Sequence, residues 1–206
     1  MLMPALAGVL LLLAALCLAA TRLDRPLMES LYLHPAALLP VMQVLTRLGS
    51  LAVLIPASVL GIGFAIRHHG RDLALRLGIG MAVAEAFTEL IKFLLARARP
   101  DFPHQVTAGG GSFPSGHSLN SVVVWCLLAL VIASVGWRRK LWARALYVLP
   151  LLVGWTRVYL GVHWPSDVLG GWGFGLLLVA AIVGGKPRPS PDAIIDAQGT
   201  IHGQGK

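Results

Sequence analysis

The chain has 206 residues, 56% of them hydrophobic and only 13% charged, with a formal net charge of +8. A soluble domain carries roughly 25% charged residues, so this composition cannot cover a water-exposed globule. It excludes an ordinary soluble fold and leaves one integral membrane domain as the reading.

A helical span needs about 20 mostly apolar residues. Runs of that kind occur near 2–20, 50–67, 75–96, 118–137, 142–160 and 166–184. They are continuous rather than alternating, which selects helices over barrel strands. The expected fold is all-α: an integral membrane bundle of six transmembrane helices over residues 1–185. A polar tail rich in Pro and Gly, 186–206, is expected to be disordered on the cytoplasmic side. The first run has no basic residue ahead of its apolar core, which favours an uncleaved span over a secretion leader. Cys17 and Cys126 lie inside apolar runs and read as packing residues, not as a disulfide or a Cys metal site.

The basic excess has a pattern. Arg67, Arg71 and Arg76 follow span two, Arg138, Arg139, Lys140 and Arg144 follow span four, and Lys186 and Arg188 follow span six. The positive-inside rule makes these connections cytoplasmic, so the charge needs no nucleic-acid partner. Alternation then places 21–49, 97–117 and 161–165 on the outer face. Lys92, Arg97, Arg99 and Arg157 sit there against the rule, and ionisable groups at membrane depth point to function.

Segment 21–49 reads either as an interfacial amphipathic helix, starting near VMQVLTRLG at 41 and flanking a lipid entrance, or as a packed connector. Span three ends EAFTELIKFLLARARPDFP. Lys92 and Arg99 are seven residues apart, close to two helical turns, and so share a face. Pro100 stops the helix at Arg99. Glu85 and Glu89 precede Lys92, and the expectation is an internal ion pair with Glu89 rather than a catalytic carboxylate.

Two further stretches carry the chemistry. In SFPSGHS, Pro114 and Gly116 shape a tight turn into a helix whose free N–H groups suit an oxyanion. Ser115 adds a hydroxyl donor, and His117 falls in the first turn. In WTRVYLGVHWPSDVLGG, Pro165 opens span six, with His163 just before it and Asp167 inside the first turn. Asp167 can accept from one ring nitrogen of His163 and leave the other unprotonated, the logic of an activated nucleophile. Lys92, Arg99 and Arg157 around one pocket repel each other unless an anion neutralises them. A tetrahedral phosphate does so, and Arg binds it in a fork. One histidine can attack phosphorus and the other protonate the departing oxygen. No metal-ligand spacing competes, so metal-independent chemistry without a cofactor is expected.

The motifs K-x6-RP at Lys92–Pro100, PSGH at 114–117 and R-x5-H-x3-D at Arg157–Asp167 together resemble the type 2 phosphatidic acid phosphatase superfamily. That superfamily includes lipid phosphate phosphatases, glucose-6-phosphatase and vanadium haloperoxidases. The resemblance implies a six-helix membrane bundle with its site at one membrane face. It implies His163 as nucleophile forming a phosphohistidine, Asp167 as its orienting carboxylate and His117 as general acid. Lys92, Arg99, Ser115, Gly116 and Arg157 would hold the phosphoryl oxygens. Thr156 stands where the family usually has Ser. Arg97 is extra to the motif core and reads as a contact to a second phosphate or headgroup, or as a snorkelling side chain.

The implied substrate is a membrane lipid phosphate or pyrophosphate: undecaprenyl pyrophosphate, phosphatidylglycerol phosphate, phosphatidate or lipid A. A lipid phosphotransferase with the same phosphohistidine is the alternative, while the membrane body disfavours the haloperoxidase branch. The expected location is a bacterial inner membrane, multi-pass, with the site facing the periplasm or exterior.

Overall fold

The computed structural model describes residues 2–33, 35–134 and 137–184; the tail at 186–206, with Lys186 and Arg188, lies outside them. Regular structure among the described residues is helical throughout: α1 (Leu2–Thr21), α2 (Asp24–Leu31), α3 (Leu39–Leu45), α4 (Leu51–His69), α5 (Arg71–Leu95), α6 (Gly116–Ala133), α7 (Trp137–Leu146), α8 (Leu149–Tyr159) and α9 (Pro165–Gly184). Short 3-10 turns at Ala36–Leu38 and Thr46–Gly49 flank α3.

Among the described residues, α1, α4, α6 and α9 are long and apolar enough to cross a bilayer. With its 25 residues, α5 runs about 37 Å, but it carries Arg71, Asp72, Arg76, Glu85, Glu89 and Lys92 along its length. The fifth expected span is not one helix. It breaks between α7 and α8, where Pro150 opens the new helix in its first turn, the place where a missing N–H costs least. Four of the six expected spans therefore stand by length and composition, and the other two correspond to a charge-bearing helix and a broken one.

Packing follows from small residues and from the central place of α6. Helix α1 lies along α9. A Cβ on Gly8 or on Gly173 would come 2.9 Å from the other residue's carbonyl oxygen, so glycine at both is what lets the two helices touch. Helix α6 packs against α4, α5, α8 and α9, with Leu119, Val123 and Ala129 fully buried. On α1, α4 and α5, large apolar side chains such as Leu13, Leu60 and Leu90 point away from the bundle, as hydrocarbon contact requires. Gly70, at φ +83°, reverses the chain between α4 and α5 in a backbone conformation that a Cβ would strain.

Segment 21–49 folds as short helices packed on the bundle. Asp24, Met28, Met42 and Thr46 are buried beneath the neighbouring helices, while Val41 and Val44 are exposed. The consequence of this topology is polar asymmetry. The C-terminal ends of α5 and α8 and the N-terminal ends of α6 and α9 gather at one end of the bundle. Arg76 Nη1 donates to the Ile182 carbonyl at the other end, close to the chain reversal that carries Arg67 and Arg71.

Candidate active site

Helix α5 stops at Leu95, four residues before the expected end. Ala96 takes a left-handed conformation (φ +41°), and its N–H closes on the Lys92 carbonyl at 2.9 Å. Arg97 and Arg99 therefore leave the helix, and Lys92 and Arg99 do not share a helical face. The loop brings them together instead: both line a cavity of ≈ 640 Å³ with Glu89, Phe93, Gly110 and Gly111. Lys92 Nζ lies 2.6 Å from Glu89 Oε1, the ion pair expected. Glu85 accepts instead from Asn120 Nδ2 at 2.5 Å.

The loop folds back hard on the helix it left. Ser112 N donates to the Arg97 carbonyl at 2.8 Å, and a Cβ on Gly111 would fall 2.8 Å from the Lys92 carbonyl oxygen. The carbonyls of Gly109, Gly110, Gly111 and Val162 accept from Arg99 at 2.6, 3.2, 3.3 and 2.7 Å. The guanidinium is thus aimed by backbone on both sides.

Ser115 caps α6. Its Oγ accepts from Ser118 Oγ at 2.9 Å and from Ser118 N at 3.4 Å, which leaves its own proton free to donate. Ser115 N donates to the Asp167 carbonyl at 3.0 Å, pinning the start of α6 to the start of α9. Gly116 and His117 follow in the first turn of α6, half-buried. Arg157, His163, Lys92 and Arg99 all come within electrostatic reach of His117.

His163 is 3% exposed. Its Nδ1 lies 2.8 Å from the Ser112 carbonyl, which can only accept, so Nδ1 carries the proton and Nε2 presents its lone pair. Arg99 Nη1 faces Nε2 at 3.2 Å. Here the structure departs from the sequence-based expectation of an Asp–His hydrogen bond. Asp167 Oδ2 stands 3.6 Å from Nδ1 and acts as a nearby charge, while the backbone carbonyl orients the ring. Burial pushes His163 down to about 4; the nearby Asp167 carboxylate opposes this, and the Arg157 and Arg99 charges add to it. At neutral pH the ring is uncharged, with its one proton on Nδ1.

Asp167 is fully buried and heavily held. It accepts from Ser112 Oγ (2.5 Å), Trp164 N (2.8 Å) and Arg97 Nη1 (2.5 Å). Arg97 thereby corrects another expectation, because it turns inward rather than toward a headgroup. Its Nη1 also donates to Ser166 Oγ at 2.7 Å, and its Nη2 to Asp24 Oδ2 at 2.8 Å. Asp24 accepts from Ser166 N at 2.9 Å and from the Ser166 hydroxyl. Asp24, Arg97, Ser112 and Ser166 are the residues that motif reasoning left out of the site. The only signal for Asp24 was a carboxylate in an outer-face connector.

Arg157, 3% exposed, donates from Nη1 to Thr46 Oγ1 at 2.6 Å, and its buried Nε has no hydrogen-bond partner among the described residues. It lines a second cavity of ≈ 370 Å³ with His117, Thr46 and Arg47. The Thr156 hydroxyl is spent on the Val153 carbonyl at 2.6 Å. All eight expected site residues therefore meet at one end of the bundle, with cations around an unprotonated histidine nitrogen. Such a cage suits a phosphoryl group.

Comparison with known proteins agrees with that geometry. Residues 73–190 match the PAP2 superfamily. Phosphatidylglycerophosphatase B of Bacillus subtilis (strain 168) is 36% identical over 150 residues, covering 70% of this chain and 73% of the relative. An undecaprenyl-diphosphatase of Sulfolobus acidocaldarius is 31% identical over 150 residues, covering 70% and 68%. The crystal structure of the transmembrane PAP2-type phosphatidylglycerolphosphate phosphatase from Bacillus subtilis superposes with a TM-score of 0.78 at 30% identity. It covers 89% of this chain and 96% of that one. By motif, fold and likeness to these proteins, the chain is a multi-pass membrane protein and belongs to the PAP2 superfamily.

Proposed function

We propose that this lipid phosphatase works without a metal, by passing the phosphoryl group of its substrate to His163 Nε2 and then to water. The observation that carries this reading is the His163 ring. Its Nδ1 is committed to the Ser112 carbonyl, and its Nε2 lone pair faces the cation cage. Nε2 attacks phosphorus, and the bond from phosphorus to the leaving oxygen breaks as His117 supplies a proton to that oxygen. Arg99 passes its Nη1 donor from Nε2 to a phosphoryl oxygen. Lys92, Arg157, Ser115 and the Gly116 amide share the charge that builds up. Water then attacks the phosphohistidine, His117 takes its proton, orthophosphate departs, and Nε2 is regenerated.

The substrate class is a lipid phosphate or pyrophosphate such as phosphatidylglycerol phosphate, undecaprenyl pyrophosphate or phosphatidate. Exposed Phe93, Leu94 and Leu95 give the rim of the Lys92 cavity an apolar surface toward the bilayer. Residues 1–185 act as one catalytic domain in a bacterial cell membrane. The site faces outward, because Arg67, Arg71 and Arg76 lie at the opposite end. The test is orthophosphate release from these lipids by detergent-purified protein in EDTA, with His163→Ala in parallel. Release that survives EDTA and disappears in the variant is expected. Release abolished by EDTA, or unaffected by the substitution, would overturn the mechanism, and transfer to a lipid acceptor without free orthophosphate would make the protein a phosphotransferase.

A further inference from the structure

We infer that Arg47 forms a second anion subsite, selecting lipids whose leaving group carries a phosphate of its own. This rests on the mechanism above, in which His117 protonates the leaving oxygen. The leaving group must then lie on the His117 side, in the cavity of ≈ 370 Å³. That cavity is not built for a hydrocarbon tail. Gln43, Thr46, Arg47, Ser50, His117 and Arg157 contribute to its wall, and no carboxylate does.

Arg47 is the cation there that nothing else uses. It is exposed, and its guanidinium makes no hydrogen bond or ion pair with any described residue. Arg97, the other candidate for a second phosphate, is held by Asp24 and Asp167. Arg47 sits in the 3-10 turn Thr46–Gly49, and that turn is fixed against the catalytic histidine. A Cβ on Gly49 would lie 3.2 Å from His117 Cβ and Cδ2. Thr46, beside it in sequence, accepts from Arg157 at 2.6 Å. Arg157, which lines the same cavity, has a buried Nε with no hydrogen-bond partner among the described residues. Two guanidinium groups flanking the general acid suit a phosphate that stays with the leaving group. Lipid diphosphates have this chemistry directly beyond the cleaved bond, and phosphatidylglycerol phosphate has it one glycerol away. Phosphatidate and prenyl monophosphates lack it.

The experiment compares kcat/KM within two matched pairs, farnesyl diphosphate with farnesyl monophosphate and phosphatidylglycerol phosphate with phosphatidate. Full-length protein in detergent is used, as wild type, Arg47→Gln, Arg47→Lys and His163→Ala. For at least one pair, Arg47→Gln should lower kcat/KM for the doubly phosphorylated member at least tenfold more than for its partner, chiefly through KM. Arg47→Lys should recover part of that loss. The pair that responds names the source of the second phosphate. Equal losses within both pairs, or no loss, would overturn the subsite. Should both Arg47 variants lose all activity alike, the wild type decides: inorganic pyrophosphate must inhibit at least tenfold more tightly than orthophosphate, and equal inhibition would also overturn it. His163→Ala tests the underlying mechanism separately, since turnover surviving in that variant would sink the phosphohistidine mechanism whatever Arg47 does.

Discussion

The Nε2 lone pair of His163 is left open by a commitment made by its other nitrogen. A backbone carbonyl fixes the tautomer, and burial keeps the ring neutral well below the ordinary histidine range. The sign of the consequence for stability follows. The unfolded chain protonates this histidine near pH 6.5 and the folded chain only near 4, so its contribution is intact above about 6.5 and declines as pH falls toward 4. Asp167 shapes this environment, and Arg97 and Asp24 in turn hold Asp167. Under the proposed mechanism Asp24 acts as a positioning residue. Asp24→Asn keeps the shape but leaves Arg97 with one carboxylate instead of two. Steady-state kinetics should show kcat falling roughly 10- to 100-fold, the scale of a small misplacement at a reacting centre, with KM little changed and partial recovery in Asp24→Glu. An unchanged kcat per folded molecule would reduce Asp24 to a structural role. The side chains that meet at this end of the bundle were legible because Lys, Arg, His and Asp stood at apolar helix ends. The Ser112 carbonyl was not, because every residue has one. Asp24 was hidden because its partner Arg97 lies 73 residues away and no motif joins them.

At the scale of elements, the helix boundaries decide where the charges go. Pro100 was the visible stop for α5, but the left-handed Ala96 ends the helix earlier and frees Arg97 to turn inward. No residue type announces that conformation at an alanine. The fifth apolar run was legible as membrane but not as two pieces, since Pro150 suits the first turn of a helix as well as it interrupts one. The glycine run of α9 had a plainer cause: Gly173 meets Gly8, and Gly171 packs against the Ser115 carbonyl at the start of α6. Gly173→Leu should therefore part α1 from α9 and destabilise the protein by about 1–3 kcal/mol, the usual cost of overpacking. The readout is a lowered thermal midpoint in detergent. Gly63→Leu, at a position where a Cβ meets nothing within 4 Å, should leave the midpoint almost unmoved.

Across the whole molecule, one end of a helical bundle gathers the candidate site and the other carries the basic chain reversal with Arg67, Arg71 and Arg76. Four helix ends and one returning loop assemble the cation cage, and α6 at the centre carries His117 into it from the most buried helix of the bundle. Composition alone made the membrane body legible, and the three motifs named the residues that meet at one end of it. How the pieces meet, through a carbonyl-held histidine and a doubly tethered arginine, required three dimensions. The central claim is that His163 carries the phosphoryl group, and the most direct test is to trap it. Rapid acid-free quenching of enzyme turning over a 32P-labelled lipid phosphate should yield an acid-labile, alkali-stable label. Peptide mapping should place that label on His163, and His163→Ala should lack it. A label on any other residue, or turnover with no phosphoenzyme at any time, would contradict the account.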